Sequence, residues 1–141
     1  MEERYLFKAK REDNKEWIFG SYAYAFVPDE KSHIYGLTRE NHVIVEQNGN
    51  IVLIDKDTLC QCTGLKDKNG NLIWENDIIE RTDIRNVNEP SIGKIFYDKP
   101  NTAFTIRWID RVNYSPTYPW KTKIRIIGNE FDNPELLENE V

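Results

Sequence analysis

The chain has 141 residues, a formal net charge of −5, 39% hydrophobic and 12% aromatic residues. That is one ordinary domain or two very small lobes, with enough apolar bulk for a core and too little disorder-promoting bias to stay unfolded. The negative balance disfavours binding duplex DNA over the whole surface, and no run of about 18 apolar residues exists to cross a membrane as a helix.

The first residues, MEERYLFKAKRED, are charged from the start and lack the apolar stretch of a signal peptide. Export is not expected, so Cys60 and Cys62 are expected to be reduced thiols in a cytoplasm. Period-two alternation then recurs along the chain, and helical periodicity does not. Tyr5–Lys10 reads as the first strand and Arg11–Lys15 as a polar turn. Glu16–Val27 returns as a strand in which Tyr22, Tyr24 and Phe26 alternate, ended by Pro28. Ser32–Arg39 reads as a loop. Asn41–Glu46 and Ile51–Ile54, joined through Asn48-Gly49-Asn50, form a hairpin.

Asn69-Gly70 lies between two further short segments. Both residues tolerate positive φ, which a tight hairpin turn requires. Asn76-Asp77 makes another turn, and Ile78–Arg81 starts a strand. Thr82–Ser91 is polar and reads as a loop. Gly93–Tyr97, Thr102–Ile109 and Lys121–Ile127 complete the strands, with Gly128-Asn129 as the stop. Asn133-Pro134-Glu135 has the order of a helix start, and 135–140 forms one or two turns if Leu136 and Leu137 dock. The expected fold is all-β: a small, partly open β-barrel, or two, of short antiparallel strands and hairpins, with a short C-terminal helical turn. The β domain spans 1–133, as one core or as two lobes of about 1–62 and 63–133. An acidic tail follows over 134–141.

Three stretches resemble the YopX family of phage and prophage proteins. They are Thr63-Gly64-Leu65-Lys66-Asp67-Lys68-Asn69-Gly70 followed by Ile73-Trp74-Glu75-Asn76-Asp77-Ile78-Ile79, the closing run Ile126–Leu137, and the opening Phe7–Arg11 with Glu16–Ser21. The resemblance covers nearly the whole chain and implies a β-rich protein in a bacterial host. It brings no catalytic residue. Asn76 stands where the family usually has Gly, and Asn also reaches the left-handed region. Cys60 and Cys62 stand where other members usually lack Cys, which argues against a family chemistry based on thiols.

Each possible site has a plain alternative. Two Cys and two His could supply a zinc set, but His33 and His42 lack the usual spacing, so no metal or other cofactor is expected. Asp55, Asp57, Asp67, Glu75 and Asp77 could do acid–base work. Asp67 and Asp77, however, adjoin turns, where a carboxylate bonds to backbone N–H groups. No nucleophile elbow or phosphate loop is present, and an enzyme is not expected. Residues 81–128 hold nine Lys or Arg against four acids, interleaved with Phe96, Tyr97, Phe104, Trp108, Tyr114, Tyr118 and Trp120. Lys121, Lys123 and Arg125 alternate onto one strand face, with Arg107 nearby. Such a face suits single-stranded nucleic acid, although a solvated outer face over an aromatic core is the favoured reading. The expected function is therefore an accessory protein that binds an unidentified phage or host protein or its own copies. The expected form is a homo-oligomer in the bacterial cytoplasm with no membrane contact. Nucleic-acid binding through Lys121, Lys123, Arg125 and Arg107 is the alternative.

Overall fold

A computed structural model describes residues 2–26, 40–82, 91–109 and 123–138. Pro28, the 32–39 loop, His33, the 83–90 part of the polar loop, Lys121 and the end of the tail lie outside the described residues. The chain divides into two compact units, Met1–Gln61 and Cys62–Val141. Every strand pair is antiparallel, and the helical elements described are short 3-10 turns.

In the first unit, β1 (Phe7–Lys10), β2 (Trp17–Phe26), β3 (Glu40–Val45) and β4 (Ile51–Leu53) pair in the order β4-β3-β2-β1. The start of β5 (Cys60–Lys66) adds to the other side of β1 through Lys8↔Cys60 and Phe7↔Gln61. Alternation decides which side chains go inward. The register Ala9↔Ile18 and Tyr22↔Ile44↔Val52 puts these residues on one face. There Ala9, Ile18, Ile44 and Ile54 are buried, with Phe7, Tyr22, Val52 and Leu59 packed against them. Beyond β1 the chain curls back onto β4. Arg11 bridges Ile54, Glu12 N–H donates to Leu53 O (3.2 Å), and Asp55 N–H donates to Lys10 O (2.9 Å). These contacts close one end of the curled sheet, which is the partly open barrel that the short strands imply.

The second unit contains the rest of β5, β6 (Leu72–Trp74), β7 (Asp77–Arg81), β8 (Ile92–Asp98), β9 (Ala103–Trp108) and β10 (Ile124–Asn129). β5 and β6 form a hairpin, and a four-stranded sheet runs β10-β7-β8-β9. Ile73, Ile79, Ile95, Ile106, Trp108 and Ile124 form a separate core, flanked by Phe104 and Ile126. Each fully buried Ile contributes about 1.5–3 kcal/mol through area removed from water.

Three expectations need correction: the start of the first strand, the stop at Gly128-Asn129 and the cap at Asn133. Glu3–Tyr5 is a 3-10 turn, and β1 starts only at Phe7. Cys60–Lys66 is a strand, which its Cys, Gln and Gly content hid. Gly128 and Asn129 do not stop β10: they pair with Ile78 and Asp77 after a bulge between Ile126 and Gly128. The C-terminal turn is a 3-10 helix over Pro134–Leu137, with Leu136 and Leu137 half-buried. Asn133 does not cap it with its side chain; its Oδ1 accepts from Asn129 N–H at 3.2 Å instead.

Candidate interaction surfaces

The polar residues of the three recognisable motifs are taken up largely by backbone. Asp67 is only 2% exposed. Its Oδ1 accepts from Asn69 N–H and Asn71 N–H, both at 2.9 Å, and its Oδ2 accepts from Ile126 N–H at 3.0 Å. Asp77, 3% exposed, accepts from Trp74 N–H at 2.8 Å. Asn76 has φ +71°, donates its N–H to Ile95 O (2.8 Å) and accepts from Glu130 N–H (3.0 Å). Asn76 thus holds a left-handed position, which Asn tolerates better than most non-glycine residues. Asn129 Oδ1 accepts from Phe131 N–H and Asp132 N–H, both at 3.0 Å. Charged and polar side chains used this way satisfy buried amides that would otherwise each cost about 1–3 kcal/mol.

Two of the basic residues described in this stretch pair with acids across strands. Arg125 lies opposite Glu80 in the β10–β7 register, and its Nε and a terminal nitrogen both donate to Glu80 Oε2 (3.0 and 2.8 Å). Lys94 pairs with Glu130 at 3.2 Å. Arg81 lies over the Trp108 ring, 5.9 Å from its centroid. Arg107 is exposed on β9, across from Lys94. The Lys123 carbonyl accepts from Thr82 N–H at 2.8 Å, and its side chain is half-buried. Lys121 lies outside the described residues. The aromatic residues Phe104 and Trp108 belong to the core side of the sheet rather than to a stacking platform beside Arg107 and Arg125.

The cysteines are thiols, both buried. Cys60 Sγ donates to Thr58 O at 3.3 Å, and Cys62 Sγ lies 3.9 Å from Ile73 O. Among the described residues no three His, Cys, Asp or Glu side chains gather as a ligand set. His42 lies beside the Tyr22 ring (6.0 Å, nearly parallel) and the Tyr24 ring (4.9 Å), with its Nδ1 2.7 Å from the Tyr22 hydroxyl. It lines a polar cavity of about 470 Å³ with Asn41, Lys15, Asp55 and Asp57. Asp55 is engaged there, since its Oδ1 accepts from Asp57 N–H (3.1 Å) and its Oδ2 lies 3.9 Å from Lys15 Nζ. Nearby, the Arg11 guanidinium bonds Asp13 at 2.9 Å and holds that carboxyl below its ordinary range.

A surface that the sequence reading missed lies at the exposed end of the outer face of the first sheet, the face on which Lys8, Asn41 and Val43 are buried. Ser21 pairs with Val45, and Val45 with Ile51, so the three share a row on the face opposite Tyr22, Ile44 and Val52. Phe19 stands two residues before Ser21 on the same face. Ile51 is 65% exposed and Phe19 48% exposed, with Val45 half-buried between their strands. Trp17 continues the face toward Lys8 and Lys10, whose Nζ atoms stand 4.7 and 5.5 Å from its ring centroid. Only the register shows this row. Along the chain, Ile51-Val52-Leu53-Ile54 is uniformly apolar and does not say which side chain faces out.

Among the described residues no helix is long and apolar enough to cross a membrane. No curated protein matches the chain. Among solved structures, the crystal structure of protein EF1440 from Enterococcus faecalis is similar in fold: the TM-score is 0.51, with 94% of this chain and 96% of that chain covered at 24% identity. Residues 6–138 match the family described as YopX protein. With the opening strands, the Asp67 and Asp77 turns and the Asn129 turn all inside that span, the chain belongs to the YopX family.

Proposed function

We propose that this chain is a non-enzymatic accessory protein of YopX type that works in a phage-bearing or prophage-bearing bacterial cell, in the cytoplasm. It acts by binding an unidentified phage or host protein through the outer face of β2, β3 and β4. The observation that carries the reading is the Phe19–Val45–Ile51 row, in which Phe19 and Ile51 are exposed at one end of a face whose Lys8, Asn41 and Val43 are buried. Exposed apolar residues grouped on one sheet face mark contact surfaces more often than isolated ones do. A second support is the use of the motif carboxylates Asp67 and Asp77 as backbone acceptors, which ties them to folding rather than to chemistry.

The test is capture from infected host cells with the native chain and with Ile51→Asp or Ser21→Arg. Both positions are exposed, so melting temperatures should stay unchanged while the captured partner disappears. Undiminished capture of the same partner by both variants moves the contact to another face. Light scattering of the same proteins reads any self-association of this face.

The nucleic-acid alternative draws on exposed Arg107 together with Lys123 and Lys121, since Arg125 spends its charge on Glu80. Fluorescence anisotropy with single-stranded DNA at low salt tests it. Binding that weakens steeply with salt and falls on Arg107→Glu supports it. An unchanged signal after that swap removes it.

A further inference from the structure

The outer edge of β10 is closed in an unusual way. Thr82 N–H donates to Lys123 O, so residues 123 and 125 turn their backbone groups toward β7, and residues 124 and 126 turn theirs away. The outward groups are met by the β5–β6 turn. Lys68 N–H donates to Ile124 O at 3.0 Å, and Asp67 Oδ2 accepts from Ile126 N–H at 3.0 Å. One backbone donor and one side-chain oxygen thus do the work of a neighbouring strand.

The two groups so covered are complementary to themselves. If β10 met a second β10 antiparallel, about a two-fold axis through Arg125, each Ile126 N–H would face the Ile124 carbonyl of the other copy. That is the hydrogen-bonded pair of an antiparallel ladder. The charge at the axis is already offset, because each Arg125 is bonded to its own Glu80 at 2.8 Å. The bulge between Ile126 and Gly128 ends the ladder after those bonds. We propose that Asp67 is a latch on a self-pairing edge, and that with the latch open β10 pairs with β10 of a second copy. A carboxylate suits this task, since an exposed strand edge pairs with whatever strand it meets unless something blocks it. The proposal is independent of the outer face, none of whose residues lie on β10.

Asp67→Asn is the informative variant. The amide keeps an oxygen for Asn69 N–H and Asn71 N–H, but it presents an NH₂ group to Ile126 N–H where an acceptor stood. The experiment uses the full chain carrying Ile51→Asp, so that association through the first sheet does not contribute. Light scattering should show a monomer for Asp67 and a dimer for Asp67→Asn as concentration rises. Adding Ile126→Pro, which removes the outward-facing N–H together with a side chain that flanks the second core, should return the double variant to monomer while its circular dichroism shows it still folded. A folded Asp67→Asn that stays monomeric at every concentration overturns the proposal, and so does a dimer that survives Ile126→Pro. Should Asp67→Asn fail to fold, hydrogen exchange on the unaltered protein decides. Opening of the latch requires the Ile126, Asn69 and Asn71 amides to exchange together and ahead of Ile79. Exchange of Ile126 at the rate of Ile79 overturns it.

Discussion

The two units each contain the same five-residue turn, and the two turns are put to different uses. In the first, Glu46-Gln47-Asn48-Gly49-Asn50 joins β3 to β4; in the second, Asp67-Lys68-Asn69-Gly70-Asn71 joins β5 to β6. The backbone bonds correspond one to one. Glu46 N–H donates to Asn50 O and Gly49 N–H to Glu46 O, as Asp67 N–H donates to Asn71 O and Gly70 N–H to Asp67 O. Gly49 has φ +92° and Gly70 φ +83°, the left-handed residue that closes such three-residue loops. The acid at the first position makes the difference. In the first turn Asn48 Oδ1 serves Asn50 N–H, whereas in the second Asp67 serves the turn and also reaches β10. A shorter acid, buried rather than half-buried, turns a local bend into a tertiary contact.

That comparison is sharpest at the acids themselves. Asp67→Ala removes three backbone acceptor contacts from a buried site. It should cost about 3 kcal/mol or more in urea unfolding, against about 0.5 kcal/mol or less for Glu46→Ala. Equal losses would mean that the β10 contact carries no stability. The glycines test the opposite expectation, that the two turns share one backbone. A Cβ at Gly49 or Gly70 meets nothing within 4 Å. The cost of Gly→Ala is therefore the left-handed conformation alone, about 1–2 kcal/mol in each case. A marked inequality would show that the turns differ in more than their acids. The smallest effects, of opposite sign, belong to the second turn position, where proline is favoured. Gln47→Pro should stabilise by about 0.5 kcal/mol through the unfolded state. Lys68→Pro loses the N–H that serves Ile124 O and should destabilise by about 1 kcal/mol. Thermal melts of the two variants read the sign directly.

The turns were legible because their chemistry is local. Asn-Gly pairs, the acids beside them, and the alternation of Tyr22 and Tyr24 all act over a few residues, and each lies where the chain order suggests. What escaped the sequence acts at a distance or through uncommon strand residues. Cys60-Gln61-Cys62-Thr63 alternates in burial, but the segment lacks the β-branched run that signals a strand. Gly128 looks like a stop because a bulge reads locally as an interruption. The excess of positive charge over 81–128 shrinks across strands, because Glu80, which bonds Arg125, and Glu130, which bonds Lys94, lie outside that stretch of sequence. Counting charge along a sequence misses partners that register supplies across strands. For the same reason Phe19, Val45 and Ile51 become a row only once β2, β3 and β4 are aligned.

The pairing of β10 with β7 also sets an order on biosynthesis. β1 to β4 pair mainly with their immediate neighbours in sequence, so the first curled sheet can form as soon as about the first 55 residues are free of the ribosome. β7 pairs with β8 nearby, but its other neighbour is more than forty residues downstream, Arg81 being opposite Ile124. During translation β7 therefore waits with one side unpaired until the last strand emerges. The second unit is the slower and more aggregation-exposed half of the nascent chain, and a pause in synthesis before Ile124 would lengthen that exposure.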